Sequence, residues 1–135
     1  MTRVFHLWLR PEEPVFSRHR EADPERADFA RMNNVVFIGW PPSLGVFLYD
    51  VAERDVIVAR CDGFCGIGRA VGPAYVLPGA KARGQVPHYR KVEWIGVTTR
   101  GPTDPNEGFL RGLNVRQAMK DITDHCAEGP LAGLI

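Results

Sequence analysis

The apolar residues of this chain fall into short runs of strand length, separated by turns rich in glycine, proline and charge. In residues 4–10 (VFHLWLR) the side chains alternate, so that Phe5, Leu7 and Leu9 share one face and Trp8 lies on the other. A period of two residues is typical of a β-strand with one buried face. We therefore predict an opening strand whose Phe5 face packs inward and whose Trp8 face meets a polar environment.

Further strands are predicted along the chain. Residues 35–40 (VVFIGW) form a continuous apolar run ended by two prolines, as in a buried strand. Residues 55–61 and 66–72 flank a glycine-containing turn and predict a β-hairpin, and residues 88–100 alternate like another strand. Residues 46–51 (VFLYDV) fit a strand and a short helix equally well.

Two segments predict helices. Asp23 is a suitable N-cap and Pro24 suits a first helical position, which predicts a short helix over residues 24–32. Apolar residues recur at roughly helical spacing in residues 111–126, which predicts a C-terminal helix capped by Asn114.

About five strands with peripheral helices favour an α+β fold, built as a small mixed β-barrel. No linker or repeat divides the chain, so residues 1–135 are predicted to form a single domain. Residues 73–87 are rich in proline, glycine and basic side chains and are predicted to form a surface loop, where functional residues often lie.

Composition narrows the classes of function. With 44% hydrophobic and 24% charged residues, the chain can bury a core without disulfides. No apolar run reaches the roughly 18 residues that span a bilayer, and the N-terminus lacks the pattern of a signal peptide, so we expect a cytoplasmic protein without a membrane partner. The net charge of only +1 argues against a protein that coats nucleic acid through its overall field.

Cys61, Cys65 and Cys126 are odd in number and lack zinc-ribbon spacing, so we expect reduced, partly buried thiols and neither a metal nor a cofactor. No catalytic motif is recognisable, and the chain is not predicted to be an enzyme. The alternative from that class is a small hydrolytic enzyme that pairs Cys61 or Cys65 with His88.

Aromatic and amide side chains near strand ends are the candidates for a pocket that holds a nucleobase. A ring such as Trp40 can stack on a base, and the amides of Asn33 and Asn34 can bond to a base edge, although paired asparagines also shape turns. Trp94 is predicted to pack in the core. The predicted pocket residues are Trp40, Trp8, Asn33, Asn34, Asp62, Phe64 and Tyr75.

A basic cluster lies between positions 81 and 91, without an intervening acidic residue. Such a cluster favours phosphate contacts, and a solvated loop without a partner is the alternative. Its members are Lys81, Arg83, His88, Arg90 and Lys91, and Arg100, Arg111, Arg116 and Lys120 could extend it.

The order FIGW, D-x-I-V-A-R, G-I-G-x-A-V and P-H-Y-R-K-V-E-W, over about residues 3–97, resembles the EVE-type domains of the PUA-like superfamily. The resemblance is to those attached to modification-dependent restriction systems. It implies a PUA-like β-barrel that flips a methylated or hydroxymethylated base into an aromatic cage. The cage would map onto Trp40 and, beside it, Trp8, Asn33 and Asn34.

The resemblance also implies partners. These are DNA carrying a modified base, with RNA as the alternative, and a nuclease or a nucleotide-driven motor as a further domain or subunit. The chain itself has no nucleotide-binding glycine loop. The acidic character of residues 11–31 differs from what a DNA-facing surface would have.

Overall fold

The computed structural model describes residues 2–9, 30–38, 45–61, 64–76, 88–98 and 105–134. Their central element is one six-stranded mixed sheet with the order β2-β5-β4-β3-β1-β6. The strands are β1 (Val4–Trp8), β2 (Val35–Ile38), β3 (Val56–Cys61), β4 (Phe64–Val76), β5 (His88–Thr98) and β6 (Met119–Asp121). Besides the helical residues 30–33, the helical elements are a π-helical turn (Val46–Asp50), α1 (Pro105–Leu113), α2 (Thr123–Cys126) and a final 3₁₀ turn (Ala132–Leu134).

The sheet is antiparallel except for one pair of neighbours, β1 and β3, which run parallel. Six strands with few helices make a mixed α+β fold, as predicted. Among the described residues β2 and β6 are the two edges of an open sheet, so the predicted closure into a small barrel is not confirmed.

Hydrophobic clusters cover both faces of β1. Phe5, Leu7 and Leu9 belong to the larger core, whereas Val4 belongs to a second core beneath α1 and the C-terminal segment. The Trp8 face does meet polar groups, but it is not a solvent face, because Val4 and His6 are both fully buried.

Several predicted elements are confirmed. β3 and β4 form the predicted hairpin, and β5 follows the predicted alternating strand. Residues 30–32, the described end of the first predicted helix, are helical, and the helix includes residue 33. For residues 46–51, where a strand and a helix fitted equally well, residues 46–50 adopt a helical turn. β4 continues to Val76, so the predicted loop is wrong for residues 73–76, and its remainder lies outside the described residues.

The predicted helix over residues 111–126 is wrong. α1 begins earlier and ends at Leu113, where Asn114 takes a left-handed conformation (φ 50°) that terminates the helix instead of capping its start. The chain then turns back and pairs β6 with β1. Hydrogen bonds at both ends of this pairing, Trp8 N to Ala118 O and Ile122 N to Val4 O (2.8 Å each), satisfy the edge of β1.

Three findings on the described residues concern the cysteines, metal binding and membrane crossing. Cys61, Cys65 and Cys126 are free thiols, as predicted, and all three are buried more completely than the predicted partial burial. In these ranges no set of three or more His, Cys, Asp or Glu side chains is arranged to hold a metal ion. No helix found there combines the length and the apolar character that crossing a membrane requires.

Candidate functional site

The predicted pocket residues do not meet at one place. Tyr75 lies near the C-terminal end of β4, and Phe64 begins the same strand. On the partner strand β5, Tyr75 lies opposite Tyr89 and Cys65, the neighbour of Phe64, lies opposite Thr98. At about 3.3 Å per residue, the stretch of β5 between these two positions is roughly 30 Å long. Trp8 belongs to the Phe64 end, because Trp8 pairs with Arg60 and Arg60 pairs with Cys65.

Tyr75 and Tyr89 form the aromatic feature of the other end, here called the tyrosine pair. They are direct partners across β4 and β5, with ring centroids 5.6 Å apart and ring planes inclined by 32°. Tyr75 is 49% exposed. The tyrosine pair therefore offers an aromatic surface to solvent at the end of the sheet.

Three strand ends converge beside the tyrosine pair, because His88 pairs with both Ile38 and Val76. In sequence, Trp40 is the second residue after Ile38, and Lys81 and Arg83 lie between Val76 and His88. Trp40, Lys81, Arg83 and Asp62 lie outside the described residues.

The paired asparagines lie at the other end of β2. Both are exposed, and Asn34 has a left-handed backbone (φ 53°). Its carbonyl accepts a hydrogen bond of 2.9 Å from Val92 N. This geometry is that of the turn which connects the preceding helix to β2.

Phe64 is a core residue in this structure. Its ring is buried and meets Trp94 edge to face, with centroids 6.0 Å apart. Trp94 packs against the larger core, as predicted, and its Nε1–H donates to Ala30 O at 3.2 Å. These contacts position two aromatic rings for stability rather than for ligand contact.

Arg90 differs from its basic neighbours. It is 3% exposed, and its guanidinium donates to Phe47 O (3.0 Å) and Gly72 O (2.7 Å). Burial lowers the pKa of Arg90, and the negative charge of Asp55 partly opposes that shift. Arg90 is thus placed to hold the backbone beneath the tyrosine pair and not to contact phosphate, whereas Lys91 is exposed and His88 is half-buried.

A second feature lies at the Trp8 end. A cleft of about 130 Å³, here called the Trp8–Arg60 cleft, opens between the sheet and α1. It is lined by Trp8, Arg60, Glu107, Leu110, Arg111, Asn114 and Val115.

Trp8 is already engaged in this cleft. Its Nε1–H donates to Val115 O at 3.0 Å, and the Arg60 guanidinium carbon lies 4.6 Å from the centre of its ring. His6 meets it edge to face, with centroids 4.8 Å apart. With one face covered by a cation, Trp8 is a poor platform for a stacked base.

A buried ionic cluster lies behind Trp8. Arg60 Nη2 is 2.9 and 3.0 Å from the two carboxylate oxygens of Glu107, and the side chains of both residues are 3% exposed. Arg60 Nη1 lies 3.0 Å from His6 Nε2. Because a guanidinium can only donate, Nε2 accepts and this imidazole is neutral.

Arg60 and Glu107 are not among the site residues predicted from the sequence. The sequence marks Arg60 only as an arginine at the end of an apolar strand, and it gives no signal for Glu107, because the helix that carries this residue is not predicted.

The alternative catalytic pair is not assembled. Cys61 pairs with Phe64 and Cys65 with Thr98, at the end of the sheet opposite His88. The third thiol, Cys126, is fully buried, and its pKa is raised by desolvation and by the nearby charge of Asp121. A raised pKa keeps that thiol protonated and weakly nucleophilic at neutral pH.

Comparison of the chain with protein-family models, with curated proteins and with solved structures gave no match. The EVE-type resemblance is therefore a prediction that rests on the quoted motifs alone.

Proposed function

We propose that this protein is a nucleic-acid-binding module that takes an unstacked base against the tyrosine pair, and that the preferred base is a modified one in DNA. The observation that carries the proposal is the exposure of Tyr75 beside Tyr89 at the end of the sheet. The sequence continues from this end into Trp40 on one side and into Lys81 and Arg83 on the other.

The energetics are consistent with base flipping. Extrusion of a base costs a few kcal/mol, and stacking on an aromatic side chain returns about 1–3 kcal/mol per base. Tyr75 alone would return only part of the cost, so a second ring is needed. Trp40 is our candidate for it.

Phosphate contacts would come from the basic residues that flank the pair. Lys91 is exposed, and it shares a strand face with Tyr89 because side chains alternate along a strand. Lys81 and Arg83 would extend this contact in the segment between β4 and β5. A local patch of this kind fits a chain whose net charge is only +1.

The proposal also covers the fold family of the protein and the biological system in which it acts. We infer a PUA-like, EVE-type arrangement, non-catalytic and cytoplasmic, that serves as the specificity part of a restriction or defence system. A nuclease or motor domain or subunit would act on the nucleic acid once the base is bound.

The test is a fluorescence-anisotropy titration of short duplexes and single strands. The strands are DNA or RNA, and their cytosine or adenine is unmodified, methylated or hydroxymethylated. Wild type is compared with Tyr75→Ala, Trp40→Ala and a matched tyrosine control, Tyr49→Ala, which removes an 83% exposed ring outside the pair.

We expect one modified DNA strand to bind best. That preference should weaken by about tenfold or more in Tyr75→Ala and Trp40→Ala but not in Tyr49→Ala, since tenfold corresponds to about 1.4 kcal/mol. Equal weak binding to every strand, or no binding, would overturn the proposal. A preference for RNA would reassign the substrate to the alternative nucleic acid.

A further inference from the structure

The Trp8–Arg60 cleft lies at the end of the sheet remote from the tyrosine pair and has no role in the function proposed above. Its volume of about 130 Å³ has room for several water molecules, each of which occupies about 30 Å³ in the liquid. Polar and apolar groups line it together, with Leu110 and Val115 among the apolar walls. A small polar ligand group therefore fits this cleft.

The charges that line the cleft sum to a positive value. Arg60 and Arg111 are cationic, and Glu107 is the one anionic side chain in the lining. The Glu107 carboxylate is matched by Arg60 at 2.9 and 3.0 Å, so its charge is largely compensated within the buried cluster. The charge of Arg111 is the surplus, and it favours an anionic ligand.

Arg111 is also the exposed cation of the set. Its side chain is 71% exposed, and its contact with Glu107 Oε1 is long, at 3.5 Å. A guanidinium carries five N–H donors in a planar fork that matches phosphate oxygens. Arg111 can therefore turn donors toward a ligand in the cleft without breaking the Arg60–Glu107 pair.

The C-terminus of α1 lies at the same cleft, and a helix C-terminus presents carbonyls with partial negative charge. One of these carbonyls, Arg111 O, accepts from Asn114 N (3.1 Å), and just beyond the helix Val115 O accepts from Trp8 Nε1 (3.0 Å). The full positive charge of Arg111 exceeds the roughly half charge at the helix end. The exposed Asn114 side chain adds an amide donor at the rim of the cleft.

We propose that the Trp8–Arg60 cleft is a phosphate-binding site in which Arg111 makes the principal contact and Asn114 a second one. The phosphate group belongs either to a nucleic-acid strand or to a free phosphate compound, and the same donors serve both. The site is independent of base recognition at the tyrosine pair.

The first test is a titration of the full chain with inorganic phosphate, followed by ¹H–¹⁵N NMR, with chloride at matched ionic strength as the salt control. The Trp8 indole N–H and the Asn114 amide report on the cleft. Arg111→Gln removes the proposed contact, and Arg116→Gln is the matched control, an exposed arginine that does not line the cleft.

We expect saturable shifts of both reporters with phosphate, an affinity at least about tenfold lower in Arg111→Gln, and no change in Arg116→Gln. Shifts that fail to saturate, that chloride reproduces, or that survive in Arg111→Gln would overturn the proposal.

A second arm identifies the source of the phosphate group. If it is a nucleic-acid strand, saturating phosphate and Arg111→Gln both weaken oligonucleotide binding, and if it is a free compound, neither does. Because inorganic phosphate is the primary probe, failure of base recognition in the anisotropy experiment leaves this result intact.

Discussion

A single nitrogen of Arg60, Nη2, donates to both carboxylate oxygens of Glu107, at 2.9 and 3.0 Å. The pair connects β3 to α1, and the side chains of both residues are buried. α1 contains two glycines and needs tertiary contacts to form, because glycine disfavours a helix by about 1 kcal/mol relative to alanine. The ion pair is one such contact, and the burial of Leu110 is another.

We expect Glu107→Ala to destabilise the fold by about 3–5 kcal/mol, because it leaves the Arg60 charge buried without its partner. Arg111→Ala removes a largely exposed cation from the same helix and should cost less than about 0.5 kcal/mol. Urea unfolding followed by circular dichroism measures both. Equal effects of the two substitutions would show that the buried pair has no special role.

The backbone at Gly66 lies so close to two aromatic rings that a larger side chain would clash with them. A Cβ atom at this position would lie 2.6 Å from Cζ3 of Trp94 and 2.7 Å from Cζ of Phe64, so one of these packed rings must move. We expect Gly66→Ala to destabilise the protein by about 1–3 kcal/mol. Gly96→Ala, whose Cβ would meet nothing within 4 Å, is the control. Thermal melts of the two variants that coincide would contradict this packing.

Arg90 and Lys91 are adjacent basic residues with opposite roles in the structure. Arg90→Met removes the two hydrogen bonds to Phe47 O and Gly72 O and should cost about 2 kcal/mol or more. Lys91→Met, at an exposed position, should change the free energy of unfolding by no more than about 0.5 kcal/mol. Chemical denaturation of both variants tests the assignment, and a greater loss in Lys91→Met would reverse it.

The raised pKa of the buried Cys126 thiol should make the stability of the fold depend on pH. Its pKa in the folded protein is raised above the ordinary value of 9.0, so the unfolded chain loses this proton first as the pH rises. The contribution of the protonated Cys126 thiol to the free energy of unfolding is fully present below pH 9.0 and is lost as the pH rises toward the pKa of the folded protein. In that range the free energy of unfolding falls by at most about 1.4 kcal/mol per pH unit. Urea unfolding from neutral to alkaline pH should show a steeper loss in wild type than in Cys126→Ala. Parallel curves would contradict the shift.

Local patterns in the sequence predicted the hairpin and the strands well, because alternation and glycine turns act over a few residues. The C-terminal segment shows where they fail. Val115, Met119 and Ile122 have a spacing that suggests one helical stripe, yet Met119 belongs to one core and the other two to the opposite core. The free edge of β1 decided this outcome, and that edge is distant in sequence.

The roles of the candidate site residues also depend on contacts that are distant in sequence. The sequence predicts Tyr75 as a pocket residue because it is an aromatic side chain near a strand end, but only the strand register shows that its partner is Tyr89. The basic neighbours of Arg90 in the sequence predict a phosphate-binding cation, whereas in the structure Arg90 is buried and donates to Phe47 O and Gly72 O. Contacts across the sheet set these roles, and the linear pattern does not contain them.

The place of β1 has a consequence for synthesis of the protein. This strand lies between β3 and β6, and Val4 N donates to Thr123 Oγ1, 119 positions along the chain. Contacts of such separation form late and slow folding. During synthesis on the ribosome, β1 cannot pair with β6 until nearly all the described residues have been made. Until then one edge of β1 is unpaired, and an unpaired strand edge is a surface on which misassociation can begin.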